Sequence, residues 1–212
     1  MPDHDLVIRG ATVIDGTGRA GYVADVACRD GLISAIDDAG TATDEIDGRG
    51  LCVAPGFIDP HTHLDANLFW DPDLTPSSGY GVTTVVTGNC GYTLAPVDDA
   101  TRDYVIDVMS VVEAIPREAL LAGVPWDWSS LDEYFARLDR VRALANFATY
   151  AGHVAVRAAV MGAAGARERV ATPDEIAQIA ATVLHALEVG AVGFSTDQVT
   201  DNIGPSGTRL PG

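Results

Sequence analysis

Up to about residue 54 the chain is a series of short runs in which apolar and polar residues alternate. DLVIRGATVID (5–15), DVACRDGLISAI (25–36) and EIDGRGLCVAP (45–55) are also rich in β-branched side chains. A period of two puts the apolar positions on one face of an extended chain, so these runs predict half-buried strands. Asp30-Gly31 and Asp47-Gly48 are the tightest turn signals among them, since both residue types tolerate the positive φ that two-residue hairpins need. The expectation is a small β-rich subdomain over 1–54 built from antiparallel hairpins.

From Leu51 the rhythm changes. Apolar runs at Cys52–Asp59, Thr83–Thr87, Asn146–Gly152 and Ala191–Asp197 are separated by longer segments, several with helical periodicity. That alternation predicts βα units and a parallel sheet over 55–212. LFWDPDLTPSSGY (68–80) reads as a loop with a short helix, and residues 98–130 as an insertion rich in acidic residues. Ser129 or Ser130 is placed to cap a helix whose Leu131, Tyr134, Phe135 and Leu138 share one face. The clearest helix is 172–189. Thr172-Pro173-Asp174-Glu175 combines a capping box with proline at the first helical position. Ile176, Ile179, Val183 and Leu187 line one face, Gly190 supplies the stop, and His185 falls opposite the stripe, facing solvent.

Composition narrows the class. The 212 residues are 47% hydrophobic and 20% charged, which is globular rather than disordered. A net charge of −17 argues against nucleic acid or an anionic membrane as partner. No apolar run is long enough to span a membrane, and MPDHDLVIRG has no leader-like pattern. Three cysteines (Cys28, Cys52, Cys90) are too few for a disulfide framework and point to a reducing compartment, with cytoplasm as the expected location. Cys28 and Cys52 read as packed hydrophobes.

Candidate chemistry gathers where the first apolar run ends, in His61-Thr62-His63. Side chains two apart on an extended chain share a face at a rise of roughly 6–7 Å, so the two imidazoles can converge on one metal ion. The next strand pattern, GVTTVVTGNC, brings up the thiol of Cys90. Two histidines and a cysteine at neighbouring strand ends make a metal site with an open position. Taken singly, such histidines also serve as surface hydrogen-bonding groups, and such a cysteine as a small buried hydrophobe.

GFIDPHTH resembles the segment that closes the first barrel strand in the amidohydrolase superfamily. GVTTVVTGNCGYTLAP is more specific and resembles the second-strand segment of the N-acyl-D-amino-acid deacylases, the D-aminoacylases. VPWDWSSLDEYFARLD, GHVAVRAAVMG and EVGAVGFST are similar to that family as well. The resemblance implies zinc-dependent hydrolysis of N-acyl-D-amino acids, with one or two zinc ions. It assigns metal binding to His61, His63 and Cys90, the cysteine in the bridging role. Other amidohydrolases bridge their metals with a carboxylated lysine, and all 13 basic residues here are arginines. That favours the deacylases over the cyclic-amide hydrolases (dihydropyrimidinase or dihydroorotase-like), which remain the alternative enzyme reading. A non-catalytic metal-binding fragment is the third.

The family fold is a metal-dependent (β/α)8 barrel preceded by a small β-sandwich. Four βα-type strands do not close such a barrel. The chain is therefore expected to be the N-terminal part of a longer enzyme, whose general-base aspartate and two further histidines lie beyond Gly212. An incomplete barrel also exposes an edge strand through which copies would self-associate. The expected partner is otherwise a small-molecule substrate. Asp65 shares the strand parity of the histidines and either orients one of them or serves a turn. His153, in the family's GH-x-x-x-R segment, lines the pocket or ends a strand. Ser195 and Thr196 match the family's GFST, and Arg157 faces an acidic substrate group or offsets surface charge.

Overall fold

The computed structural model describes residues 2–75, 77–198 and 203. They form a mixed α/β chain of two compact units, Met1–Gly56 and Phe57–Gly212.

The first unit holds strands β1 (His4–Val13), β2 (Tyr22–Arg29), β3 (Leu32–Ile36), β4 (Ala42–Asp47) and β5 (Cys52–Val53) in a single sheet. β1–β2 and β2–β3 are antiparallel. Asp30 (φ 52°) and Gly31 (φ 77°) turn the second hairpin in the doubly left-handed conformation of a tight two-residue turn. The hairpin expectation fails beyond this point, because β4 and β5 both run parallel to β1. They lie one after the other along the edge of β1 that β2 leaves free. The Asp47-Gly48 turn is thus a step within one edge, not a reversal. Gly48 donates to Arg9 O at 2.8 Å, and a Cβ there would come within 2.8 Å of the Ala11 and Ile8 side chains. The expected strand Cys52–Asp59 is likewise split: Cys52–Val53 pairs with β1, and only Phe57–Asp59 enters the second sheet. Pro55, which has no N–H to give a ladder, lies in the break. Cys52 is exposed rather than packed.

The second unit begins with β6 (Phe57–Asp59) and β7 (Val82–Thr87). Helices α1 (Arg102–Val112), α2 (Arg117–Gly123) and α3 (Leu131–Leu138) follow, then β8 (Asn146–Thr149) and β9 (Ala151–Gly152). Helices α4 (His153–Glu168) and α5 (Pro173–Val189) precede β10 (Phe194–Ser195). β6, β7 and β8 form a parallel sheet in that order, and β9 pairs in parallel with β10. Val192 donates to Thr149 O at 3.0 Å and Ala151 to Gly193 O at 2.9 Å, so the run into β10 lies beside the end of β8.

Residues 98–130, expected as an acidic insertion, supply much of this unit's core. Tyr104, Val105, Ile106, Val108 and Met109 of α1 are buried together with Leu120, Val124 and Trp128. Trp128 stacks on Phe69 at 5.3 Å between centroids and donates from Nε1 to Leu94 O at 2.9 Å. The acidic residues of α1 fall on its other positions, with Asp103 and Asp107 meeting Arg117. Ser130 is the cap of α3, accepting from Glu133 N, while the Glu133 carboxylate reaches back to Ser130 N. Leu131 and Tyr134 are buried on the expected face.

Helix α5 has the predicted Thr172–Glu175 capping box, proline at its start and Gly190 at its end. Its apolar stripe is not buried as expected. Ile176 and Leu187 are 55% and 42% exposed, and Ala186 is the fully buried side chain. Small residues let α5 approach its neighbours, while Ile179 and Val183 of the stripe are only half-buried. His185 is not simply solvated either: its Nε2 pairs with Asp132 Oδ2 of α3 at 2.7 Å. That hydrogen bond, and then the carboxylate charge, raises the histidine's pKa above its ordinary value. Protonated His185 is favoured in the folded state, so the contribution is full below the unfolded pKa of about 6.5 and is lost as pH rises through the folded value. The difference in urea stability between wild type and His185→Gln is expected to be largest at about pH 6 and to vanish at alkaline pH. Exposure keeps it small.

Candidate metal centre

Two strand ends build the site. After β6, Thr62 is pinned to β7: its N–H and its hydroxyl both donate to Val86 O, at 3.0 and 2.8 Å. Asn89 Nδ2 ties the same two segments by donating to Thr62 O at 3.2 Å and Val86 O at 3.0 Å. With Thr62 turned into the protein, His61 and His63 on either side of it turn the other way. Their rings meet edge to face at 5.5 Å.

Beyond β7 the backbone runs through left-handed conformations at Gly88 (φ 71°), Cys90 (φ 54°) and Gly91 (φ 85°). A left-handed non-glycine residue costs roughly 1–2 kcal/mol, and such a conformation persists only where its surroundings hold it. Ser195 of β10 does so here. Its hydroxyl donates to Gly88 O and accepts from Gly91 N at 3.0 Å, bracketing Cys90 from both sides. Gly88 must be glycine, since a Cβ would fall 2.7 Å from Thr93 and 2.8 Å from Tyr150 O.

Cys90 Sγ consequently lies 3.2 Å from His61 Nε2, and one donor atom from each of His61, His63 and Cys90 lies within 4.8 Å of the others. Donors around a tetrahedral zinc sit about 3.5 Å apart, within reach of small side-chain rotations. The donor set fits as well, two imidazoles with a soft thiolate. Burial, and then the charge of His61, lowers the pKa of His63, which keeps it in the neutral form a ligand needs. Burial raises the Cys90 thiol pKa, with Asp197 and Glu113 adding to the shift, so capture of a metal there must displace a proton.

The other sequence candidates surround this cluster in different roles. Asp65 is fully buried, and its Oδ2 accepts from Gly88 N at 3.4 Å while Oδ1 has no hydrogen-bond partner. Burial pushes its pKa up to about 7. His153 opens α4, with Nδ1 3.0 Å from Thr196 Oγ1 and its ring against Phe194. Asp197 accepts from Tyr92 OH at 3.2 Å. Arg157 is held by backbone carbonyls near the end of its own helix. Its guanidinium donates to Ala166 O at 3.2 Å and to Arg169 O, closing the end of α4.

Glu113 was not visible as a site residue. It caps the C-terminus of α1, its side chain is 15% exposed, and its Oε1 lies 3.3 Å from His63 Nδ1. The local signal was an acid inside an otherwise apolar MSVVEAIP stretch, overshadowed by the acidic composition of its surroundings.

The chain is 39% identical over 194 residues to the D-aminoacylase of Alcaligenes xylosoxydans xylosoxydans, a match covering 91% of this chain and 37% of that protein. It superposes with a TM-score of 0.76 on a D-aminoacylase whose binuclear metal centre has been characterised, at 40% identity over 92% of this chain and 39% of the other. The N-acyl-D-glutamate deacylase of Bordetella bronchiseptica, complexed with zinc and a phosphonate inhibitor, gives the same TM-score at 35% identity, covering 96% of this chain and 40% of that one. The chain thus spans well under half the length of these relatives. The amidohydrolase family model matches residues 44–206, a span that holds both strand ends and all three donors, and the chain belongs to the amidohydrolase family.

Proposed function

We propose that the chain is the metal-binding N-terminal part of an N-acyl-D-amino-acid deacylase, releasing a D-amino acid and a carboxylate. The observation that carries this reading is the convergence of His61, His63 and Cys90, in a chain 39% identical to a D-aminoacylase over nearly all its length. The parallel strands β6, β7, β8–β9 and β10 are read as successive strands of a (β/α)8 barrel, with the first unit as part of its flanking β-subdomain. Their C-terminal ends carry His61, Cys90, His153 and Asp197, as catalytic groups do in such barrels.

Zinc held there would polarise the scissile carbonyl and ready a water molecule for attack. His61 and His63 would hold it through imidazole nitrogens, and Cys90, fixed by the Ser195 bracket, would offer a thiolate. His153 and the Tyr92–Asp197 pair stand around Cys90, placed to line the substrate's approach. The proton-transferring aspartate and two further histidines of the family are assigned outside these residues. The test is release of amino acid from N-acetyl-D-methionine and N-acetyl-L-methionine by the zinc-loaded longer enzyme of which this chain is proposed to be the N-terminal part. Turnover of the D substrate in large excess is expected; equal rates would sink the deacylase assignment.

A further inference from the structure

His63 Nδ1 is buried and has no hydrogen-bond partner, although the Glu113 carboxylate stands 3.3 Å away. The approach is close but off the bonding direction. A buried imidazole N–H left unsatisfied costs roughly 1–3 kcal/mol, so so near an acceptor has a specific consequence. A neutral imidazole carries one proton, and the nitrogen that lacks it is the one able to hold a metal. Whichever group claims one ring nitrogen therefore decides which nitrogen faces the donor cluster.

We infer that Glu113 is the positioning residue that fixes the tautomer of His63, holding the proton on Nδ1 and leaving Nε2 as the ligand atom. This rests on the proposed metal-binding reading. A small tilt of the ring toward Glu113 completes the Nδ1–H···Oε1 bond, and metal-ligating histidines commonly use a carboxylate in this way. Asp65, two residues from His63, does not take the role, since neither of its oxygens is bonded to His63: Oδ2 accepts from Gly88 N and Oδ1 has no partner. No other carboxylate is paired with His63 among the described residues. The acid arrives instead from the end of α1, fifty positions further along the chain, and the buried face of that helix (Tyr104, Val105, Ile106, Val108, Met109) holds it in place.

The experiment reads two quantities in wild type, Glu113→Ala and Glu113→Gln. The first is the tautomer of His63 in the metal-free protein, from the ¹⁵N shifts of its ring nitrogens. The second is zinc affinity by chelator competition. Wild type is expected to hold the proton on Nδ1, and Glu113→Ala to move it largely to Nε2 with a roughly 10–100-fold loss of zinc affinity. Glu113→Gln, which keeps an acceptor of the same shape, should hold the proton on Nδ1 and lose less than tenfold, and Glu113→Met, of similar length but without an acceptor oxygen, carries the tautomer test if the alanine variant does not fold. An Nδ1–H population unchanged in the variant that lacks the acceptor overturns the inference, as does unchanged zinc affinity there where wild type binds zinc. If wild type binds no zinc, the proposed function falls while the tautomer measurement still decides the role of Glu113.

Discussion

Replacing Cys90 by alanine is expected to abolish stoichiometric zinc binding. The three donors lie within 4.8 Å of one another, and two imidazoles that remain cannot enclose an ion. Loss of an outer partner of a metal ligand costs roughly 10–100-fold in affinity, and removing a ligand itself should exceed that. His63→Ala should do the same, and metal analysis after dialysis measures both. Full zinc retention by both variants would show that the cluster is a structural feature only. Cys90→Ala has a second readable effect. Alanine at φ 54° keeps the backbone cost but has no thiol to hold, so metal-free stability should change little while zinc no longer raises it. A thermal scan with and without zinc separates these cases, since wild type alone should show a zinc-dependent shift.

Trp128→Ala is expected to destabilise the second unit by about 3–5 kcal/mol, the usual range for emptying a large buried aromatic site. Trp128 is 5% exposed and packs against Phe69, Trp126 and Tyr134. Its indole also satisfies Leu94 O, so truncation leaves that buried carbonyl without this donor. Against a total stability of about 5–15 kcal/mol for a domain, such a loss is large. Urea denaturation checks it, and a change below about 1 kcal/mol would contradict the packing described. Leu94 follows Cys90 on the same segment, so zinc affinity should fall together with stability. Trp128→Phe, which keeps most of the apolar volume, should recover much of both.

Local features of this chain could be read before any fold was known. The capping boxes at Ser130 and Thr172, the Asp30-Gly31 hairpin and the Gly190 stop depend only on residues within four positions of one another. The pairing of His61 with His63 followed from strand parity, and their neighbour Cys90 from the next strand end. The resemblance carried by GFIDPHTH and GVTTVVTGNCGYTLAP placed the chain among the amidohydrolases, and the family match bears that out.

Other features were set by contacts between distant residues, for which periodicity carries no signal. An alternating run specifies a strand but not the direction of its partner, so the parallel course of β4 and β5 along β1 was decided by which edge stood free. The stripe of α5 was legible, but what covers it is a matter of packing, and there small residues rather than the stripe make the buried contact. Ser195 brackets Cys90 from more than a hundred residues away, and Glu113 reaches His63 from a helix that composition had marked as part of an acidic insertion. By itself the sequence marked His61, His63 and Cys90 as candidate ligands, because ligand type and strand spacing are local. Only the tertiary structure decided which groups hold those side chains in place, because a hydrogen-bond partner is chosen by proximity in space.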